Sequence, residues 1–264
     1  MKIHNHIISI KMKKIIFFFT ILSLFYYCSA PGNEKPDPSL TNTQSIRLGA
    51  PSINKKWKIK DYNRFNNYLD SLPQKAYPKV SSLKSQKLFD KVVSSIHQST
   101  ITDKKYSLEE RIVFWNELNM NGESIMSKYI VAMQNGEDYS TEVSHLMGLR
   151  IVNSTQLIDS AKELIPTFDI NSDKYSDQMK SIQQMRDGVF IQYEIGFTCL
   201  QEKNTYSDSD RIIITQHLVE NAKSIFSFLT NEAKEKLKLK LDKTIKAESN
   251  KEIQILLVKV KGDF

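Results

Sequence analysis

The sequence predicts an all-α protein, an antiparallel multi-helix bundle of about eight helices, on three observations. Beyond Trp57, apolar residues recur at three- and four-residue intervals, the spacing that lines one face of a helix. Proline and glycine become scarce there, and Pro73, Pro78 and Pro166 fall between the periodic runs. Ser107-Leu-Glu-Glu110 and Ser249-Asn-Lys-Glu252 have the Ser-x-x-Glu form in which hydroxyl and carboxylate satisfy amide donors at a helix start.

The elements follow in order. Tyr62, Phe65, Leu69 and Leu72 form a first stripe, stopped at Pro73. A second helix, from Leu83 to His97, aligns Leu88, Phe89, Val92 and Ile96, and Ser81-Ser-Leu-Lys84 reads as its start rather than as a serine-lysine nucleophile. The box at Ser107 opens a third, with Leu108, Ile112 and Trp115. Its phase resumes beyond Gly122 at Met126, Tyr129 and Met133, so the stretch reads as one long helix or as two, closed at Gly136. From Thr141 to Ile165 the stripe is Val143, Met147, Ile151, Ser154, Ile158, Ala161 and Ile165, ended by Pro166.

From Ser172 to Glu202 the stripe runs through Tyr175, Met179, Ile182, Met185, Val189, Tyr193, Gly196 and Leu200. Phe190, Ile191, Ile195, Phe197 and Cys199 make its second half apolar on the other side too. A helix apolar all round is covered from several directions, which predicts this one at the centre of the fold. A helix starting at Ser207 or Asp208 follows, burying Ile214, Leu218, Ala222, Ile225 and Leu229. KLKLKLDK keeps four-residue spacing at Ala233, Leu237, Leu241 and Ile245 behind a Thr230 cap, and IQILLVKV follows Glu252. Both read as helix, with a short C-terminal β-hairpin pairing them as the alternative. No internal repeat of fixed period stands out, which weighs against a solenoid.

The amino-terminal segment is of another kind. Lys11, Lys13 and Lys14 precede an uncharged run from Ile15 to Tyr27. That run is short of the about 20 residues a bilayer-spanning helix needs and has the length of a signal-peptide apolar region. Starting at Met12 would give the more compact signal MKKIIFFFTILSLFYYC. Phe25-Tyr26-Tyr27-Cys28 then stands where a lipobox stands, with two tyrosines in place of small residues, and the segment resembles a bacterial lipoprotein precursor. The resemblance implies that the Cys28 thiol receives a diacylglyceryl group and becomes the mature amino terminus. It places the protein in a bacterial cell envelope, lipid-anchored at the outer membrane, with the bilayer as its first partner. The expected organisation is a signal peptide over 1–27, a flexible tether over 28–56 carrying Pro31, Pro36, Pro38 and Pro51, and one α-helical domain over 57–264.

Charge narrows the function classes. The chain is +7, but residues 1–27 hold four lysines and no acid, which leaves +3 on the remainder. That near balance, without an arginine-rich or aromatic-basic run, argues against a nucleic-acid partner. Cys199 is the only cysteine besides Cys28, and within IGFTCLQ it reads as a small buried hydrophobe. The sequence contains no HExxH, paired CxxC, GxSxG or phosphate-binding glycine loop, so it predicts no catalytic residue and no cofactor beyond the lipid.

Weak candidates remain. Glu142-Val-Ser-His145 has the Glu-x-x-His spacing of di-iron bundles, and its one counterpart is the reversed His217-Leu-Val-Glu220. These four are the metal candidates. Trp115, Met120 and Met126 are the candidates for partner binding, because aromatics and methionine are enriched at interfaces, with core packing as the competing role. The lysine-rich face from Lys234 to Lys246 reads as solvated, because Glu232, Glu235, Asp242 and Glu248 dilute its attraction for anionic lipid. The expected function is that of a membrane-anchored lipoprotein whose non-catalytic helical domain binds another envelope or extracellular protein. The alternative is a small-ligand carrier or enzyme with a pocket between the helices.

Overall fold

The computed structural model describes residues 49–94 and 106–264. The segment expected as signal peptide and most of the expected tether, together with Cys28, Ile96 and His97, lie outside them. Ala50–Phe264 forms one compact unit. Among the described residues there are eight α-helices and no strand: α1 Ile59–Asp70, α2 Gln86–Ser94, α3 Leu108–Gln134, α4 Ser140–Leu164, α5 Tyr175–Gln201, α6 Asp208–Phe228, α7 Asn231–Ala247 and α8 Lys251–Gly262. Short 3-10 turns cover Gln74–Ala76 and Ile165–Thr167.

Local chemistry sets the helix ends. Ser107 Oγ accepts from the Glu110 amide at 3.1 Å while the Glu110 carboxylate accepts from the Ser107 amide at 2.7 Å. Ser207 and Asp210 make the same exchange at the start of α6, and Thr230 caps α7. The cap of α8 is Asn250 rather than Ser249. The Asn250 side chain reaches the amides of Glu252 and Ile253, and Ser249 Oγ accepts from Lys203 instead. Helix α3 runs unbroken through Gly122 and ends at Gly136, whose φ of +96° is the left-handed conformation glycine tolerates. KLKLKL and IQILLVKV are both helical rather than a hairpin. Leu237 and Leu241, and likewise Ile253, Leu257 and Val260, are buried together, which the three- and four-residue period of a helix permits and the two-residue period of a strand does not.

Chain neighbours run antiparallel. Arg111–Glu163, Asn119–Ser154 and Glu123–Arg150 tie α3 to α4 in that sense. Tyr193 and Arg186 of α5 reach the Leu218 and Phe228 carbonyls of α6, and Asp242–Lys261 joins α7 to α8. Helices next but one run parallel. Asp210 of α6 receives Ser140 and Thr141 of α4, while Ser224 farther along α6 receives Lys162. Glu194–Lys240 and Gln201–Thr244 relate α5 to α7 in the same way. The bundle is therefore two-layered, with α4, α6 and α8 side by side in one layer, and the pairs α1–α3 and α5–α7 in the other. No period is visible in the sequence because the helices filling equivalent places differ in length, 27 residues for α5 and 17 for α7.

The centre of the fold is α4, not the Ser172–Glu202 helix the sequence predicts. The most extensive helix contacts are those of α4 with α3 and with α6. Sixteen of the 25 residues of α4 are buried, against nine of 27 in α5. The second buried face of α4 carries Ser144, Gly148 and Thr155, small enough to admit α6. The hydroxyls of Ser144 and Thr155 donate to carbonyls of their own helix, Ser140 and Ile151. Such a face looks solvated in sequence although its polar groups are satisfied internally. The extra apolar residues of α5 divide. Ile195, Phe197 and Cys199 are buried, while Phe190 and Ile191 are only partly covered.

Candidate functional site

The four metal candidates lie on two packed helices, α4 and α6. Glu142 Oε1 accepts the Val80 amide at 2.6 Å, and burial raises its pKa above the ordinary carboxyl value. His145 stands edge-on to Phe89 with ring centroids 6.3 Å apart. Burial lowers its pKa, opposed by Asp210 and Asp90. His217 lies over Gly148, and its Nδ1 is 3.8 Å from Glu220. The structure thus brings His217 to Glu220 and commits Glu142 to backbone. Among the described residues no three His, Cys, Asp or Glu side chains form a metal-holding group.

Glu142 belongs to a cage that the sequence did not reveal. Tyr77, Tyr129 and Tyr139 have mutual ring distances of 5.4, 6.0 and 5.1 Å. The Tyr129 hydroxyl donates to the Pro78 carbonyl at 2.9 Å, that of Tyr139 to the Gln74 carbonyl at 2.6 Å, and the Lys79 ammonium lies 4.4 Å from the Tyr139 ring centre. Burial pushes the Tyr139 pKa up to about 12, so the phenol stays a neutral donor at ordinary pH. The cage fastens the connection between α1 and α2 onto α3 and α4.

A serine-lysine-aspartate cluster forms where sequence spacing gave no hint. Ser224 Oγ on α6 donates to Asp159 and accepts from Lys162 Nζ at 3.1 Å. The same ammonium donates to the Ser224 carbonyl at 2.8 Å and lies 3.4 Å from Asp159. A lysine that activates serine must be neutral and needs oxyanion donors beside it. Lys162 instead spends its protons on a carboxylate and a carbonyl, and Ser224 lies within a helix that uses its own amides. The cluster pins α4 to α6. Ser81 and Lys84 lie in the turn before α2.

Arg211 plays the same role on a larger scale. It is 2% exposed, donates to Glu248 at 2.5 Å, to Asp208 and to the Leu200 carbonyl at 3.3 Å. Glu248 also accepts from the Asn250 amide at 2.7 Å and lies 3.5 Å from Lys203. The carboxylate ties α6 to the corner between α7 and α8. Nearby Cys199 is buried, and burial pushes its thiol up to about 12 although Tyr206 bonds to it; as a thiol rather than a thiolate it is a poor nucleophile. Asn153, fully buried on α4, has no bonding partner on either amide atom.

Of the partner-binding candidates, Trp115 and Met126 are core residues, while Met120 is 47% exposed. With Val113 at 57% and Val131 at 42% it forms an apolar row along one face of α3, because spacings of seven and eleven residues return to the same side of a helix. Among the described residues no helix is long and apolar enough to cross a membrane. The fold and its interior define an all-α, two-layered helical bundle in which the ionic clusters described above join helix to helix. No protein-family model, curated protein or solved structure matches the chain.

Proposed function

We propose that this chain is a bacterial envelope lipoprotein, anchored by a diacylglyceryl group on Cys28, whose helical domain binds another envelope or extracellular protein without catalysing a reaction. The apolar row Val113, Met120 and Val131 on the outside of α3 carries the reading. It extends about 27 Å along the helix, and methionine is enriched at the centres of interfaces. The charged clusters support the same view. Arg211, Glu248, Lys162, Asp159 and Glu142 are each engaged by neighbouring helices or loops. A tether over 28–56, spanning roughly 30 Å, gives the domain reach from the bilayer to a partner.

The test places a photo-crosslinking residue at Met120 of the full chain in its native envelope. A discrete adduct is expected, lost when Val113→Glu is added and absent when the crosslinker stands at Lys180 on α5. Adducts indifferent to position or to Val113→Glu would remove the α3 face from the reading. Fractionation of Cys28→Ala tests the anchor separately, with release from the membrane expected and unchanged retention of an unshifted species counting against acylation.

A further inference from the structure

The last hairpin, α7–α8, closes the two layers, since α7 packs beside α5 and α8 beside α6. Each helix buries one face, Leu237, Leu241 and Thr244 on α7, and Ile253, Leu257 and Val260 on α8. On the opposite faces Leu239 is 62% exposed, Ile255 60% and Val258 54%. The side of a helix turned to solvent is ordinarily polar, and three large apolar side chains stand there instead. Around them on the same faces stand Lys243 and Lys246, one and two turns beyond Leu239, and Lys251 and Lys259, one turn to either side of Ile255, with Glu235 the one acid a turn before Leu239.

Net charge is the second property of this hairpin. Of nine lysines between 231 and 262, Lys236, Lys240 and Lys261 are paired with Glu232, Glu194 and Asp242. Glu248 is taken by Arg211 and Lys203. Lys234, Lys238, Lys243, Lys246, Lys251 and Lys259 are left against Glu235 and Glu252, an excess of four positive charges. Of the acids among these lysines, Glu248 is buried against Arg211, while Glu232 and Asp242 each hold one lysine at the surface.

We propose that the outer face of α7–α8 docks on an anionic lipid bilayer, with Leu239, Ile255 and Val258 entering the interface and the four surrounding lysines meeting headgroup phosphates. Apolar side chains within a lysine border are the pattern of a helix that lies on a membrane surface. A second copy presenting the same positive face is repelled by it. The docking does not depend on acylation of Cys28. An anchor would hold the chain at the membrane, whereas this face would orient the domain on it.

The test uses the full chain carrying Cys28→Ser and Ile255→Cys, with an environment-sensitive dye on the new thiol; Cys199 is buried and stays unlabelled. Vesicles of phosphatidylcholine, alone or mixed with phosphatidylglycerol, are added, and the same dye at Val113→Cys on α3 serves as the control. Expected is a blue shift at position 255 confined to the phosphatidylglycerol vesicles, about tenfold weaker in high salt, abolished by Lys243→Glu with Lys259→Glu, and absent at position 113. An equal response to both vesicle types, a like response at both positions, or no response at 255 overturns the proposal. So does a shift that needs no vesicles and grows with protein concentration, which assigns the face to a second copy.

Discussion

Gly148 and His217 show how narrowly single residues control the seam between α4 and α6. A Cβ placed on Gly148 would lie 2.1 Å from His217 Cδ2 and 2.8 Å from its Cγ. Those atoms belong to the ring itself, so the added methyl must move the imidazole or spread the helices. Gly148→Ala is expected to cost about 1 to 3 kcal/mol as overpacking, seen as a fall in melting temperature. In a His217→Ala background the cost should largely vanish, since residues in contact couple. Equal costs in the two backgrounds would show that His217 is not what fills the space. In the sequence His217 stands as a metal candidate, and nothing marks Gly148 as its partner. Their shared role is invisible in the sequence because the whole of α5 separates them along the chain, while α4 and α6 pack directly on each other.

At the scale of the element, the helices show what a sequence reveals about burial and what it conceals. Tyr62, Phe65 and Leu69, and likewise Ile214, Leu218 and Ala222, stand out as stripes and are buried as such. The serine cap of α3 is equally legible from its Ser-x-x-Glu pattern, whereas the same pattern at Ser249 misplaces the cap of α8 by one residue, because Ser249 bonds to Lys203 and Asn250 takes the amides. Burial by small polar residues is not, and it made α5 look more central than α4. Between Tyr175 and Gly188 only Ile182 of α5 is buried. Its secure part begins at Val189, where Tyr193 donates to the Leu218 carbonyl at 3.1 Å and packs on Phe226 with centroids 5.3 Å apart. Tyr193→Ala should therefore cost about 3 to 5 kcal/mol. Phe190→Ala, partly exposed one helical step away, should cost clearly less. Thermal melts of the two variants decide it, and equal losses would mean that α5 is covered on both sides after all. The clusters at Ser224 and Arg211 escape sequence reading for another reason. Lys162 and Ser224 are 62 residues apart and Arg211 and Glu248 are 37 apart, so nothing local marks either as a pair.

For the whole molecule, the two layers explain why the chain reads as a helical protein without reading as a repeat. From α3 to α8 the helices obey one rule, antiparallel to the neighbour and parallel to the next but one, while lengths and connections vary freely. The shared place of α4, covered by α3 on one side and α6 on the other, governs the order in which the structure opens. An amide in the buried stretch of α4 from Glu142 to Ala161 meets solvent when one of two large seams has parted, whereas the first half of α5 can fray with most of the fold intact. Native-state hydrogen exchange should accordingly be slowest in α4, at rates tracking global unfolding, and fastest among the regular helices between Tyr175 and Gly188. Slowest exchange in α5 would contradict this order. A protease or a chaperone therefore meets a chain whose middle is the last part to yield, with the α3–α4 and α4–α6 seams lost in a single step because they share one helix.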